Sequence, residues 1–328
     1  MRKYVAKRIM LSIVILFFVA LLIYALMRCL PTSYVERLAR EKSSLPGGRS
    51  YEEWMQQLNA VYGFDKGIIG GFFTWLKTAI RGDFGESWYF NVPVTLKFSQ
   101  VIWDSFILAM VSLALRVVIA IPLGIVSATH QYSKIDYAVT VFALIGISLP
   151  TFFFATILKW VLSINLGWLD LYGKVGRMYD QLTPMGQFLD VAQHSIMPVV
   201  TLTVVSVGDL MRYTRTNMLE VLNSDYIRTA RAKGLSERTV INKHAFRNTL
   251  IPIVTIIGGT LPSLFGGALI TETLFQIPGI GYTSYQAMIS GDIPFTMFYS
   301  VFSAMLVLMG TLIADILYAV VDPRVRVS

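Results

Sequence analysis

The sequence has few of the residues from which catalytic and metal sites are usually built. It contains one cysteine, Cys29, so no disulfide can form within the chain. The three histidines, His130, His194 and His244, are far apart in the sequence and predict no metal cluster. No GxxxxGK[ST] motif is present, which excludes the usual phosphate-cradling loop of an ATPase. No nucleophile-elbow motif indicates a serine hydrolase either. We therefore expect no catalytic residue, metal or cofactor in this chain.

Charged residues are scarce as well, at 15% of the chain, whereas hydrophobic residues make up 55%. The apolar residues occur in blocks of about 20, each long enough to cross a hydrocarbon layer of about 30 Å as a helix. Four blocks, at residues 9–27, 137–158, 249–271 and 293–314, carry no formal charge, whereas 105–128 contains Arg116 and 196–219 is apolar up to Asp209. This pattern predicts an all-α, polytopic membrane protein with six transmembrane helices, at residues 9–29, 105–128, 137–158, 196–219, 249–271 and 293–314.

Basic residues flank these spans on one side of the predicted membrane. Lys and Arg concentrate in residues 1–8, in the segment 210–248 and at Arg324 and Arg326. Because cytoplasmic flanks are enriched in Lys and Arg, we expect both termini to be cytoplasmic, with residues 1–8 as a cytoplasmic tail. The net charge of +8 is then a topology signal. We therefore expect the chain to contact membrane lipid. Nucleic acid is a poor alternative partner for the basic residues, because these residues border the spans.

Residues 30–100 are predicted to form an extracytoplasmic segment, and residues 101–328 a core domain that contains the other five spans. In the outer segment, residues 51–61 and 70–80 place aromatic and aliphatic side chains at helical spacing, which predicts amphipathic helices. A glycine-rich turn follows at residues 81–88. A lid over the outer mouth and a docking platform for an external partner both fit this pattern.

The loop at residues 220–248 has its own local signals. Ser224 or Asp225 can cap a short helix over residues 226–233, and Gly234 is suited to end it in a left-handed conformation. Ser236 can begin the next helix. The loop is therefore expected to form a helical hairpin that projects from the membrane.

Sequence motifs along nearly the whole chain resemble one transporter family. They are FDKGIIGGFFTWLKTAIRGDFGES, IPLGIVSA, ISLPTFF, MRYTRTNMLEVL, DYIRTARAKGLSE, HAFRNTLIPIVT and TETLFQIPGIG. Together they resemble B-type permease subunits of bacterial ABC peptide importers, the dipeptide and oligopeptide branch of the binding-protein-dependent family. Of that wider family's loop pattern, Glu-Ala-Ala, three residues, Gly, nine residues and Ile-x-Leu-Pro, only Ala230 and Gly234 remain here. The departure is typical of the peptide branch, in which the proline comes later, here Pro252.

The resemblance implies the type I ABC importer permease fold and a bacterial inner-membrane location. It also implies a second homologous permease, two cytoplasmic ATPase subunits that use ATP and Mg, and an extracellular substrate-binding protein that delivers peptide. The loop would couple to the ATPases through Asp225, Tyr226, Arg228, Thr229, Ala230, Arg231, Ala232, Lys233, Gly234 and Leu235. Nickel-chelate or oligosaccharide cargo remains open within the family. A secondary transporter or a channel remains the alternative from other classes.

A few residues inside the spans are candidates for function. Arg116 and Asp209 are a predicted intramembrane charge pair, with a substrate contact as the alternative. Ser148, Pro150 and Pro262 are candidate translocation-pathway residues, because proline bends a helix and frees backbone carbonyls. Lys159 is predicted to extend along the outer end of its span toward the interface.

Overall fold

The computed structural model describes residues 2–29, 34–44, 50–61 and 67–321. Arg324 and Arg326 of the predicted tail and residues 64–66 of the FDKGII motif lie outside these ranges. The described part is helical except for one isolated antiparallel bridge between Glu86 and Pro93 and its loops. The prediction of an all-α protein is therefore confirmed.

The helices vary widely in length, from a single turn to more than ten turns. In chain order they are α1 (Arg2–Cys29), α2 (Tyr34–Ser43), α3 (Tyr51–Val61), α4 (Ile68–Ala79), α5 (Val94–Thr129), α6 (Lys134–Ser148), α7 (Thr151–Leu158), α8 (Pro184–Leu222), α9 (Asp225–Ala232), α10 (Glu237–Thr239), α11 (Phe246–Thr260), α12 (Leu269–Phe275), α13 (Ile280–Ile289) and α14 (Ile293–Val321). Short π-helical turns extend α7 over Lys159–Asn165 and precede α11 over Val240–Ala245.

Four described helices are long and apolar enough to cross a membrane, and two bent pairs of helices raise the number to six if each pair is one span. The four single spans are Val5–Cys29, Val94–Thr129, Pro184–Leu222 and Ile293–Leu317. The two pairs are Lys134–Ser148 with Thr151–Asn165, and Glu237–Leu250 with Pro252–Phe265. Six spans agree with the sequence-based count only when both bent pairs are included.

The third predicted span, residues 137–158, is two helices and not one. α6 and α7 meet at a bend of 103°. Leu149, which precedes Pro150, has extended angles (φ −77°, ψ 125°), because the proline ring disfavours the helical conformation of the residue before it. Pro150 then stands at the N-cap of α7.

The fifth predicted span, residues 249–271, is also interrupted. α11 ends at Thr260, a 3₁₀ turn covers Pro262–Phe265, and α12 begins at Leu269. Gly267 has φ +78°, and a Cβ placed there would lie 2.5 Å from the backbone nitrogen of Gly281. A positive φ and this close approach both require glycine, so the chain turns here instead of continuing the helix.

The chain divides into two compact units. One contains Asp104–Tyr282 and residues 309–321. Within it, α6 and α8 approach closely at two glycines. A Cβ on Gly208 would lie 2.5 Å from the carbonyl oxygen of Ala143, and a Cβ on Gly146 would lie 2.7 Å from that of Val204. Small residues at such positions are typical of helix packing in membranes.

The other unit contains Arg2–Trp103 and Thr283–Leu308. In it, α1 packs on α4 through Tyr24 and the fully buried Phe72, whose ring centroids are 5.8 Å apart. Buried Asp292 accepts hydrogen bonds from the Ser87 hydroxyl and from the Tyr89 amide, the latter at 3.1 Å. The predicted helices at residues 51–61 and 70–80 correspond to α3 and α4.

Candidate functional site

The projecting loop forms the short helix α9, which begins immediately after α8 ends. Ser224 takes the extended N-cap conformation (φ −74°, ψ 153°). Ser224 therefore occupies the N-cap position, one of the two predicted, but its hydroxyl donates to the Val221 carbonyl at 2.6 Å and forms no capping hydrogen bond with α9. This hydrogen bond to a preceding carbonyl competes with capping, and serine hydroxyls commonly form such bonds near helix ends. Asp225 lies in the first turn of α9, where its negative charge interacts favourably with the helix dipole.

One face of α9 holds the helix against its own chain. Ile227 is fully buried and Ala230 is 6% exposed, and both belong to a cluster with Met218 of α8 and Val240. Burial of a side chain the size of Ile227 contributes roughly 1.5–3 kcal/mol. The spacing of three residues puts both on one side of the helix. Ala230, one of the residues that the resemblance implies for contact with the ATPases, therefore faces the chain's own core.

The turn after α9 has the conformation that the sequence predicts. Gly234 has φ +76°, which confirms the expected left-handed end of the helix. Across this turn, Arg231 donates to Glu237 through Nη2 at 2.6 Å and through Nε at 3.2 Å. This hydrogen-bonded pair raises the pKa of Arg231 above its ordinary value. Ser236 is the N-cap residue of α10, in agreement with the predicted start of the next helix.

The other face of α9 presents its side chains to solvent. Arg228 is 73% exposed in its side chain and Tyr226 is 47% exposed. The remaining predicted loop residues on this side are also exposed, namely Asp225, Thr229, Arg231, Ala232, Lys233, Gly234 and Leu235. The surface combines the aromatic ring of Tyr226 and the aliphatic side chain of Leu235 with three basic groups and one acidic group. Such a surface can bind a groove that carries acidic residues.

The base of the hairpin is fixed by an ion pair that sequence inspection missed. Arg215 of α8 donates to Asp136 of α6 through Nε at 3.0 Å and Nη2 at 2.9 Å. The same carboxylate accepts the Tyr132 amide at 3.0 Å and the Ser127 hydroxyl. The side chain of Asp136 is only 5% exposed. These four donors compensate the burial of its charge.

Arg116 lies on α5 and Asp209 on the neighbouring α8, and no ion pair joins the two side chains among the described residues. Ser112 of α5 is 3.5 Å from the Val199 carbonyl of α8, and Gly124 approaches Met211, so the two helices pack along the stretch that contains Arg116. Nε of Arg116 is buried without a hydrogen-bond partner. Their pairing stays a prediction.

The structure places the three candidate pathway residues differently. Ser148 and Pro150 are exposed on either side of the 103° bend between α6 and α7. Pro262 is buried in the 3₁₀ turn after α11. Ser148 and Pro150 are therefore accessible to a permeating molecule or partner, whereas Pro262 is covered by its own chain. The pathway assignment of all three stays a prediction.

A second buried acid, Glu272, organises the TETLFQIPGIG motif. It is fully buried, and its carboxylate accepts the Ser105 hydroxyl at 2.7 Å, the Ala268 amide at 2.8 Å and the Tyr282 amide at 3.0 Å. The Ser105 oxygen in turn accepts the Ile280 amide at 2.7 Å. Such a network holds α12 and the start of α13 on α5. The residues of this network are far apart in the sequence, so their spacing could not predict it.

No group of three or more metal-ligating side chains comes together in the part of the chain that the structure describes. The described site therefore consists of a basic helical hairpin, its buried anchor and a set of broken transmembrane helices. This arrangement can transmit movement between a partner on α9 and the spans, because α9 packs directly on α8 and on the turn before α11.

Comparisons with known proteins agree with this description. Residues 120–327 match the family described as binding-protein-dependent transport system inner membrane component. The chain is 38% identical to the oligopeptide transport system permease protein AppB of Bacillus subtilis (strain 168), over 99% of this chain and 100% of that protein. It is 32% identical to the di/tripeptide transport system permease protein DppB of Pseudomonas aeruginosa (strain UCBPP-PA14), over 99% of each.

Among solved structures, an inward-facing MetNI methionine ABC transporter matches with a TM-score of 0.52 and 19% identity, over 69% of this chain and 96% of that chain. This likeness concerns the fold and confirms the predicted ABC importer permease fold. With the family match over residues 120–327 and relatives that align over nearly the full chain, the chain belongs to the family of binding-protein-dependent transport system inner membrane components.

Proposed function

We propose that this chain is one of two permease subunits of an ATP-driven importer and that it carries peptides across the bacterial inner membrane. A second, homologous permease completes the pathway between the subunits. Two cytoplasmic ATPase subunits bind ATP and Mg, and an extracytoplasmic binding protein delivers the peptide. The full-length similarity to oligopeptide and di/tripeptide permeases carries this proposal.

The hairpin supports the proposal that this chain forms the pathway while separate subunits hydrolyse ATP. The sequence has no phosphate-binding loop of its own, so the energy source is another polypeptide. α9 offers a compact surface that includes Arg228, Lys233 and Leu235 and is backed by the buried pair Ile227 and Ala230. Force applied to α9 passes to α8 because Ile227 and Met218 share one core cluster.

The orientation follows from this role. If the ATPases contact α9, then α9 is cytoplasmic, and with six spans both termini are cytoplasmic as well. The basic flanks support the same orientation. Residues 30–100 then lie outside, where the helices α2, α3 and α4 are available to the binding protein.

Uptake by the purified complex tests the proposal. The chain, its homologous permease, both ATPase subunits and the binding protein are reconstituted in liposomes with ATP inside or outside. The proposal predicts accumulation of labelled tripeptide only with ATP on the ATPase side and with loaded binding protein. A secondary transporter would accumulate peptide on an ion gradient without ATP, and a channel would equilibrate it without the binding protein.

The same liposomes test the cargo. Nickel-chelate and oligosaccharide uptake are measured beside peptide uptake with the same binding protein. Accumulation of either cargo without peptide accumulation contradicts the peptide assignment but leaves the importer class intact. A matched preparation that lacks only this chain gives the background.

A further inference from the structure

Lys159 lies near the outer end of its predicted span and contacts residues of its own chain. It begins the π-helical turn Lys159–Asn165 after α7. Its ammonium Nζ donates to the carbonyl oxygen of Leu274, in α12, at 2.7 Å. The lysine is half-buried and is directed toward the helices of its own chain. Its predicted extension toward the interface stays a prediction.

Two aromatic rings fix the position of the ammonium. Nζ lies 4.0 Å from the ring centroid of Tyr172 and 5.6 Å from that of Phe275. The Gly173 amide donates to the Phe275 carbonyl at 2.9 Å, which holds the Tyr172 segment beside α12. Phe275 is itself 2% exposed in a core cluster. The charge is thus held on a rigid surface, and cation–π contact compensates part of its lost hydration.

The ammonium lacks a counter-charge among the described residues. Of its three N–H donors, one is used by the Leu274 carbonyl, and no described carboxylate forms an ion pair with it. Lys174, in the neighbouring loop, differs because its Nζ lies 2.6 Å from Asp104 Oδ1. A half-buried cation without an acid is costly unless something else compensates it. Ionisable residues in spans mark functional sites, and so do π-helical turns.

We infer that Lys159 binds the C-terminal carboxylate of the transported peptide, with the Tyr172 ring as one wall of the subsite. This inference rests on the proposed peptide function. A carboxylate supplies the missing negative charge and acceptors for the remaining N–H groups. Linear peptides with a free C-terminus carry this group whatever their side chains. In the proposed orientation Lys159 lies toward the outer end of its span, where the peptide arrives.

The test compares two peptides in the reconstituted complex. Trialanine and trialanine amide differ only in the C-terminal carboxylate, and uptake of each is measured at equal concentrations of peptide-loaded binding protein. Lys159→Met should reduce trialanine uptake by roughly 10-fold or more, since a hydrogen bond to a charged group contributes about 1.5–3 kcal/mol. It should leave trialanine amide uptake unchanged within about twofold, and Lys159→Arg should restore much of the trialanine uptake.

Lys174→Met is the matched control, because it removes a lysine of the same outer region whose charge Asp104 already pairs. This variant should leave the ratio of trialanine uptake to trialanine amide uptake unchanged. If Lys159 only stabilises the last turn of α12, Lys159→Met will lower the unfolding temperature and reduce uptake of both peptides equally. That result overturns the inference. Equal trialanine uptake by the parent and Lys159→Met also overturns it, while the peptide function stands. A parent that imports neither peptide contradicts the proposed function and, with it, the subsite.

Discussion

Arg231 and Glu237 form two hydrogen bonds across Gly234, at 2.6 Å and 3.2 Å, and thereby join the end of α9 to the start of the next helix. Both side chains are exposed, at 44% and 56%, so the pair contributes little to the free energy of unfolding. It does fix the direction of α9, because the guanidinium meets the carboxylate with two parallel bonds. The exposed face of α9 is therefore presented in one orientation.

Substitution of Gly234 tests whether this turn is needed for transport. The glycine has φ +76°, and no atom lies within 4 Å of the place where a Cβ would stand. Valine is therefore strained by its backbone conformation alone, by about 1–2 kcal/mol. Gly234→Val should reduce ATP-dependent uptake severalfold at equal amounts of protein in the membrane. Gly234→Asn is the control, since asparagine tolerates the left-handed region and should retain most of the uptake. Equal uptake by both variants and the parent would contradict the role of the turn.

The ion pair at the base of the hairpin should contribute strongly to stability. Asp136→Asn removes the charge that Arg215, the Tyr132 amide and the Ser127 hydroxyl compensate, and loss of one partner of a buried pair costs about 3 kcal/mol. We expect a lower unfolding temperature in detergent and a lower amount in the membrane. Asp225→Asn is matched to it, because Asp225 is 97% exposed and lies 3.5 Å from Arg228. That variant should change the free energy of unfolding by about 0.5 kcal/mol or less. Similar effects of the two substitutions would show that the Asp136 pair is not an anchor.

Substitution of two helical glycines by alanine distinguishes the effect of close helix packing on stability from the effect of helix propensity. A Cβ on Gly208 meets the Ala143 carbonyl at 2.5 Å, whereas a Cβ on Gly70 has no neighbour within 4 Å. Gly208→Ala should force α6 and α8 apart and destabilise the protein by about 1–3 kcal/mol. Gly70→Ala should be neutral or stabilise by about 0.5–1 kcal/mol, because alanine favours the helix. Thermal unfolding of the purified variants measures both, and a stable Gly208→Ala protein would contradict the close packing of α6 on α8.

The predictions from sequence succeeded where local chemistry decides the structure. Gly234 and Ser236 signal a helix end and a helix start through their own backbone and side-chain properties, and α9 ends just before Gly234 while α10 begins just after Ser236. Pro150 likewise indicated a bend, although its size of 103° depends on what α6 and α7 pack against. Predictions that concern a single helix need no knowledge of the tertiary fold.

Contacts between distant residues could not be predicted in this way. Asp136 and Arg215 are 79 positions apart, and Ser105 and Glu272 are 167 apart. Nothing in either local sequence selects its partner, since several acids and hydroxyl groups are available to each. Ala230 shows the same limit, because its small size fits both a partner surface and the chain's own core. Only the tertiary packing of Ala230 with Met218 and Val240 decides between them.

Labelling with a membrane-impermeant thiol reagent tests the orientation. Cys29 is exposed and is replaced first. In intact cells, Glu52→Cys should then react, because α3 is outside in the proposed orientation, and Ser236→Cys should stay protected until the membrane is permeabilised. Both positions are exposed to solvent, so burial does not explain a difference between them. The reverse pattern of labelling would contradict an outer α3 and a cytoplasmic α9.

Photo-crosslinking from α9 tests most directly whether an ATPase drives this permease through the hairpin. A benzoylphenylalanine is placed at Arg228, which is 73% exposed, and in a second variant at Glu52 of α3, which is also exposed. Irradiation of the assembled, transport-active complex should link position 228 to an ATPase subunit and leave position 52 without that product. An active complex in which position 228 gives no adduct with an ATPase subunit, or in which position 52 gives as much, would contradict the account.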